Sequence, residues 1–235
     1  MTNLKPADLQ ALTAWDTPTI CNALELTSPE RRATGFTTKH LFCGFPALKP
    51  IVGYARTAMI RAKHASSRDK AAMRDQRTAY YEYIAQGGPT PSISIIQDLD
   101  GPDVGFGAFW GEVQTNIHKG LGCLGVVTDG CIRDLDMIAP GFQMLAGSVA
   151  PSHAHVHLED FGTQVQVAGM LVSSGDIIHA DRHGAVVVPA DAVKAIPKAV
   201  DLLTRREAVI LKAAKAKGFN FEKLKKAMGQ ADEIH

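Results

Sequence analysis

Apolar residues along the middle of the chain follow two spacings, one typical of strands and one typical of helices. The strand-like segments cover residues 51–63, 92–100, 124–130 and 142–150. Segments rich in helix-forming residues separate them and cover residues 68–86, 112–122 and 133–139. Because strands and helices alternate at this spacing, the pattern predicts βαβ units whose strands form a parallel core sheet.

The segments before this core predict two short helices within residues 6–26 and irregular structure in residues 27–50. Thr17 is a suitable N-cap for the second helix, and Pro18 suits its first turn because a proline there loses no hydrogen bond.

The segments after residue 150 predict a different arrangement. Short β segments divided by Gly169, Gly175 and Gly184 are typical of an antiparallel or barrel-like β module. A helical stretch follows at residues 190–217, in which Pro197 either kinks the helix or marks its true start.

The basic tail that ends the chain predicts a solvated helix face rather than a nucleic-acid or membrane site. Its apolar side chains are expected to pack inward: Phe219, Phe221 and Leu224. Since no linker composition separates the segments, the sequence predicts one domain over residues 1–235. The helices in residues 6–26 and 190–230 are appendages of that domain.

The composition is that of an ordinary globular protein, with 46% hydrophobic residues, 21% charged residues and a net charge of +1. This balance favours neither nucleic acid nor a membrane as partner. The N-terminus lacks the pattern of a signal peptide, and no apolar run is long enough to span a bilayer. The four cysteines lack zinc-site spacing, which favours reduced thiols in a cytoplasmic protein.

The segment with the most chemical content covers residues 111–138. Gly111 and Glu112 begin a predicted helix, whose first N–H groups can bind an anion or a carbonyl oxygen. Arg133 and Asp134 follow a buried strand, where α/β sheets commonly bind ligands. The arginine suits a carboxylate, and the aspartate suits Mg²⁺ or Mn²⁺. The alternative is structural: Asp134 caps the next helix, and Arg133 pairs with a nearby acid.

The same residues carry a family resemblance. G-E at 111–112 followed by V-V-T-D-G-x-x-R-D at 126–134 resembles the signature of the RraA-like family. The stretch VAGMLVSSGDIIHADRHGAVVVP at 167–189 and NALEL near the N-terminus are also similar to that family. The family includes 4-hydroxy-4-methyl-2-oxoglutarate aldolases, oxaloacetate decarboxylases and the regulator of ribonuclease E activity. The likeness covers about residues 15–210.

The resemblance implies an α/β fold, a three-layer swivelling ββα domain. Its central sheet carries helices on the outside and a long C-terminal helix. It also implies a homo-oligomer, a trimer or a dimer of trimers.

The resemblance implies a site as well. Arg133 holds the carboxylate of a small 2-oxo acid, and Asp134 binds a divalent metal cation, Mg²⁺ or Mn²⁺. An acidic residue of a neighbouring subunit's C-terminal helix supports the metal's water shell, for which Glu207 is the candidate. The backbone amides that bind substrate belong to Gly111, Glu112, Val113 and Gln114.

One position departs from the family pattern. Where aldolases of the family carry a second acid, this chain has Met137. Asp136 lies one residue earlier, which on a helix rotates its side chain by about 100°. Asp136 is therefore a candidate for a water-mediated metal contact, and the substitution weakens the aldolase interpretation.

Five histidines form the last candidate group. His153, His155 and His157 alternate, so on a strand their imidazoles would share one face and could bind a transition metal. His179 and His183 add two more. The alternative is that they are ordinary surface histidines.

The sequence thus predicts a divalent-metal-dependent lyase that cleaves or decarboxylates a small 2-oxo acid. One alternative is a non-enzymatic regulator that binds a protein partner. Another is a lyase or isomerase acting on a different hydroxy acid.

Overall fold

The computed structural model describes residues 4–235. The chain forms six α-helices over this range. They are α1 (Pro6–Leu12), α2 (Thr17–Thr27), α3 (Lys70–Gln86), α4 (Glu112–Gly120), α5 (Ile196–Ala214) and α6 (Phe221–Asp232).

Thirteen strands accompany the helices between residues 4 and 235. The first seven are β1 (Phe42–Cys43), β2 (Ile51–Arg61), β3 (Ser92–Asp98), β4 (Ala108–Trp110), β5 (Cys123–Thr128), β6 (Cys131–Ile132) and β7 (Gln143–Ala146). The others are β8 (Ser148–Val149), β9 (His157–Phe161), β10 (Val165–Val167), β11 (Met170–Val172), β12 (Ile177–Asp181) and β13 (Gly184–Val188). The main sheet runs β1-β7-β5-β3-β2-β12-β13, with β9 also paired to β2.

The centre of this sheet is parallel, as the alternation of strands and helices predicts. Strands β2, β3, β5 and β7 pair side by side in one direction. Both faces of β3 are buried: Ile93 and Ile95 pack into one core cluster and Ile96 into another. The small polar side chains of Ser92 and Ser94 are buried as well, as expected for a central strand of a parallel sheet that is covered on both faces.

The sheet curls around its longest strand, β2, because two strands share one of its edges. β12 pairs antiparallel with residues 51–54, and β9 pairs antiparallel with residues 58–61, beside a register shift at Met59 and Ile60. The antiparallel pairing predicted after residue 150 is confirmed for β10 with β11 and for β12 with β13, but β12 and β13 extend the main sheet and do not form a module of their own. The predicted fold class, a layered α/β domain with a central sheet and a long C-terminal helix, is confirmed.

A second, small sheet consists of β4, β6 and β8, all parallel. The single strand predicted over residues 142–150 is wrong, because β7 belongs to the main sheet and β8 to the small one. The two separate at Gly147, where any side chain would collide with the backbone carbonyl of Asp129.

The helix predicted over residues 133–139 is also wrong: only a 3₁₀ turn, Leu135–Met137, forms there. At the C-terminus, α5 begins at Ile196, with Pro197 in its first turn, so the proline marks the helix start. Phe219 and Phe221 do not pack inward as predicted, and Phe221 is 72% exposed.

The histidines do not form the predicted three-residue face. Of the three alternating histidines, only His157 lies on a strand, β9, while His153 and His155 lie in the segment before it. In the part of the chain that the structure describes, no group of three histidine, cysteine or acidic side chains is placed to hold a metal ion.

Within residues 4–235, no helix is both long enough and apolar enough to cross a membrane.

A buried polar network attaches α2 to β12. The Asp181 carboxylate accepts a hydrogen bond from the Thr17 N–H at 3.1 Å and one from the His183 N–H at 2.8 Å. Nε2 of His179 lies 3.2 Å from the Leu12 carbonyl, so it carries the proton, and Nδ1 accepts from the Thr17 hydroxyl at 3.0 Å. Burial lowers the pKa of His179, which keeps the ring neutral.

This network predicts a pH-dependent stability. Burial raises the pKa of Asp181, but hydrogen bonds from His183 and Thr17 lower it by a larger amount. The pKa in the folded state therefore lies below the usual value. Such a carboxylate stabilises the folded protein above its unfolded pKa of about 3.9, and the contribution is lost as pH falls through the lower folded pKa.

We expect Asp181→Asn to lower the free energy of unfolding at pH 7 by about 1.5–3 kcal/mol, because a charged acceptor is replaced by a neutral one. Urea unfolding at pH 7 and at pH 3 should show the difference from wild type shrinking at the lower pH. Asp191→Asn, at an exposed position, is the control and should change neither value. An equal loss at both pH values would contradict this account.

Candidate active site

The site forms where two strands of the small sheet end side by side. Gly111 follows β4, and Arg133 follows β6. Because the two strands are parallel, their carboxyl ends meet at one edge, and the Arg133 N–H donates to the Trp110 carbonyl at 3.0 Å. Residues 22 positions apart in sequence are thereby brought next to each other.

Asp134 points at the start of α4 rather than at its own turn. Its Oδ2 accepts a hydrogen bond from the Glu112 N–H at 3.2 Å, and its side chain does not cap the 3₁₀ turn that follows. This direction depends on a left-handed backbone at Asp134, with φ 57° and ψ 39°. Non-glycine residues adopt that region at a cost, and aspartate is among those that tolerate it best.

Gly111 is required by this close approach. A Cβ at this position would overlap the Asp134 carboxylate and press on the Cγ of Arg133. The backbone of Gly111 is extended, with φ −166°, so space rather than backbone conformation demands glycine. Having no side chain, Gly111 also leaves the start of α4 without a side-chain cap.

Arg133 and Asp134 contact each other only loosely. Nε of Arg133 lies 3.6 Å from Oδ2 of Asp134, and the side chains are 36% and 33% exposed. Among residues 4–235, Arg133 forms no salt bridge with any other acid. The structural alternative is wrong in one detail only, because Asp134 binds the first N–H of α4 and not the turn that follows it, while the acid nearest to Arg133 is Asp134 itself.

Both side chains line one cavity of about 530 Å³. The predicted substrate-binding residues line the same cavity: Gly111, Glu112, Val113 and Gln114. The N–H groups of Val113 and Gln114 lie in the first turn of α4, where the helix supplies no carbonyl partner. The cavity thus joins a guanidinium, two carboxylates and the positive end of a helix.

The cavity is also lined by α3, a helix for which the sequence pattern predicts no functional role. Its cavity-lining residues include three cations: Lys70, Arg74 and Arg77. Their spacing of i, i+4 and i+7 was the available signal, since it places all three on one helix face. His153 and His157 complete the rim, with His157 Nε2 held 3.0 Å from a Glu159 oxygen.

The remaining predicted site residues lie elsewhere. Asp136 and Met137 belong to the 3₁₀ turn, and neither lines the cavity; Met137 is 57% exposed. Glu207 lies on an exposed face of α5 and does not line the cavity of its own chain. The acidic residues that line the cavity are Asp134 and Glu112.

A buried polar cluster holds α4 in place behind the site. His118 Nδ1 lies 2.7 Å from the Gln114 carbonyl and so donates to it, while Nε2 accepts from the Tyr80 hydroxyl at 2.9 Å. Burial lowers the pKa of His118 to about 4, so the ring is neutral at physiological pH. The Thr115 hydroxyl bonds the Gly111 carbonyl and accepts from the Ala139 N–H.

A second acidic group lies at the carboxyl ends of β3 and β5, outside the cavity lining. Burial raises the pKa of Asp129 to about 6, although its carboxylate accepts the Asp98 N–H at 2.8 Å. Asp98 in turn accepts from Asp100 and Gly105, which gives both carboxylates a role in shaping these loops.

Comparisons with known proteins agree with this architecture. An uncharacterised protein of Methanocaldococcus jannaschii is 34% identical over 91 residues, which cover 38% of this chain and 44% of that protein's length. A solved structure of an uncharacterised protein from Pseudomonas syringae pv. tomato has a TM-score of 0.72 at 19% identity, covering 97% of this chain and 96% of that chain.

A third relative carries a functional description. Streptomyces coelicolor RraAS2, described as an unusual member of the RNase ES inhibitor RraA protein family, has a TM-score of 0.66 at 20% identity. The match covers 92% of this chain and 100% of that chain. Identities this low show the fold alone.

The family itself follows from a sequence model described as RraA-like, Aldolase/RraA, which matches residues 17–187. This range includes α3, α4, the small sheet and all of the main sheet except the last residue of β13. The chain therefore belongs to the RraA-like family.

Proposed function

We propose that this protein is a divalent-metal-dependent carbon–carbon lyase that cleaves or decarboxylates a small 2-oxo acid. The observation that carries the proposal is that Arg133 and Asp134, both partly exposed, face one cavity beside the free N–H groups of α4.

The substrate carboxylate is bound by Arg133. Its planar guanidinium presents paired N–H donors that match the two oxygens of a carboxylate. Since Arg133 touches Asp134 only through Nε, at 3.6 Å, its terminal nitrogens are available for a ligand. The N–H groups of Val113 and Gln114 supply further donors, and the helix end adds a partial positive charge.

The residues present fit a magnesium ion that keeps part of its water shell. Mg²⁺ in enzymes is commonly held by one or two carboxylates together with substrate oxygens and water. Both contacts of Asp134 use Oδ2, and among the described residues no hydrogen bond or ion pair uses Oδ1. Asp134 and Glu112 would hold the ion, which would act as a Lewis acid on the substrate's 2-oxo group.

The chain's own groups stabilise the charge that the reaction creates. When the carbon–carbon bond breaks, its electron pair moves toward the 2-oxo oxygen and an enolate forms. Carbon dioxide leaves in decarboxylation; in retro-aldol cleavage the departing fragment becomes a carbonyl compound as its hydroxyl loses a proton. Arg133 and the first turn of α4 hold the adjacent carboxylate, which orients the breaking bond and keeps both negative charges beside positive groups.

Family membership also favours a homo-oligomer, in which Glu207 of a neighbouring subunit would approach the metal's water shell. Sedimentation of the purified protein would test the oligomer. The metal response of Glu207→Gln would test that residue.

Two observations favour a second function, that of a non-enzymatic regulator. Met137 replaces the second acid and is 57% exposed, and RraAS2 is described as related to an RNase inhibitor. Pyruvate release from oxaloacetate with added Mg²⁺ or Mn²⁺ separates the two functions. A third possibility, a histidine-shaped site for another hydroxy acid, has less support because only His153 and His157 line the cavity.

We expect Arg133→Ala to reduce kcat/KM for oxaloacetate decarboxylation by on the order of 100-fold or to background, because a charged hydrogen-bonding partner is lost. A pyruvate-coupled assay measures the rate. Arg32→Ala, at an exposed surface ion pair, should retain wild-type activity. Full activity in Arg133→Ala would disprove the assigned role.

Asp134→Ala should abolish the response of activity to divalent metal and to chelator. Mn²⁺ binding followed by electron paramagnetic resonance gives a readout that does not depend on turnover. Wild type should bind Mn²⁺ and Asp134→Ala should not, while the exposed variant Asp191→Asn binds as wild type does. Equal Mn²⁺ binding by Asp134→Ala and wild type would count against the metal site.

Gly111→Ala tests the close approach at the centre of the site. The added methyl group overlaps the Asp134 carboxylate, so this side chain must move away from the Glu112 N–H. We expect a loss of activity comparable to that of Asp134→Ala. Gly120→Ala, at a glycine with open space around its Cβ position, is the matched control on the same helix. Normal activity in Gly111→Ala would show that the contact is dispensable.

A further inference from the structure

The row of cations on α3, formed by Lys70, Arg74 and Arg77, lines the same cavity as the first turn of α4. All three side chains are exposed, and their spacing aligns them along about two turns of one helix face. At a rise of about 1.5 Å per residue, the row extends for about 10 Å along the cavity.

This row breaks the rules that favour a stable helix. The first turn of α3 begins with Lys70 and contains no acidic residue, so the negative charge at this helix end comes from the N-cap Asp69, whose carboxylate accepts the Ala72 N–H at 2.8 Å. Lys70 and Arg74 are four residues apart and Arg74 and Arg77 three, so each pair of like charges repels. Local conflicts of this kind concentrate at functional sites.

The side chains of the row have few partners within residues 4–235. Lys70 and Arg77 have no side-chain hydrogen bond or ion pair in this part of the chain, and Arg74 pairs only with its exposed neighbour Asp75 at 3.3 Å. An exposed pair of this kind contributes little. By contrast, the guanidinium of Arg68, just before α3, donates hydrogen bonds to the Leu158 and Glu159 carbonyls and to the Glu159 carboxylate.

The charged side chains that line the cavity carry a net positive charge. Four permanent cations line it against two carboxylates, Glu112 and Asp134. In the proposed function a divalent metal adds further positive charge beside Asp134, and one 2-oxo acid carboxylate occupies Arg133. The α3 row then faces a volume of about 530 Å³ with no anion to neutralise it.

We propose that the α3 row is a second anion-binding subsite that holds the far end of the substrate. The substrate is then an extended 2-oxo acid that carries a carboxylate or a phosphate several bonds away from its 2-oxo group. This inference rests on the proposed function for the position of the 2-oxo acid end, and it assigns Lys70, Arg74 and Arg77 as specificity-determining residues.

The test uses two matched pairs of probes. 2-Oxoadipate and 2-oxohexanoate have the same carbon chain and differ in one terminal carboxylate. 2-Keto-3-deoxy-6-phosphogluconate and its unphosphorylated form differ in one terminal phosphate. Calorimetry in the presence of Mg²⁺ gives Kd for each probe, so no turnover is needed, and the pair with the larger ratio identifies the preferred anion.

Wild type should bind the doubly anionic member of at least one pair tenfold or more tightly than its partner, and this ratio should fall with added salt. In Lys70→Gln/Arg77→Gln and in Arg74→Gln the ratio should fall toward one, while Kd for 2-oxohexanoate stays unchanged. Lys212→Gln, on the last turn of α5, is the matched surface control and should keep the wild-type ratio.

Two further measurements distinguish a binding role of the row from a structural one, and failure of this inference from failure of the proposed function. Removing the like charges should leave the melting temperature unchanged or raise it, whereas a structural role for the row predicts a lower one. Arg133→Gln should weaken the binding of both members of a pair by the same factor. If this variant has no effect, the proposed function is contradicted. The ratio of the two Kd values in the α3 variants still tests the second subsite. A wild-type ratio near one for both pairs, or a ratio retained in the α3 variants, would overturn the inference.

Discussion

The site depends on one hydrogen bond, from the Glu112 N–H to the Asp134 carboxylate at 3.2 Å. It joins the end of one short strand to the start of a helix that follows another. Two local features allow it: the missing side chain at Gly111 and the left-handed backbone at Asp134. Because the bond uses Oδ2, the other carboxylate oxygen has no hydrogen bond or ion pair among the described residues, and Asp134 lines the cavity together with Val113 and Gln114.

Much of this could be predicted from the sequence, for physical reasons. The parallel core was predictable because strand-like segments alternate with helix-forming segments at the spacing of βαβ units. The juxtaposition of residues 111–114 with Arg133 and Asp134 was predicted from motif chemistry and family resemblance. The strand ends that produce it were not, because β4 and β6 have three and two residues and therefore show no periodicity.

Other errors have equally specific causes. The helix predicted after Arg133 does not form because the left-handed conformation of Asp134 interrupts it. The histidine face is absent because the strand begins only at His157. The α3 cations carried a usable signal in their spacing, but a charged helix face is usually just solvated, and only the three-dimensional structure shows that this face borders the site.

The account is most directly tested by a crystal structure with Mg²⁺ and oxalate, which mimics the planar dianion that forms from a 2-oxo acid. The account predicts one oxalate carboxylate on the terminal nitrogens of Arg133 and the N–H groups of α4, with Mg²⁺ bridging oxalate and Asp134. Oxalate bound away from α4, or an Asp134 that keeps its present contacts and holds no metal at saturating Mg²⁺, would contradict it.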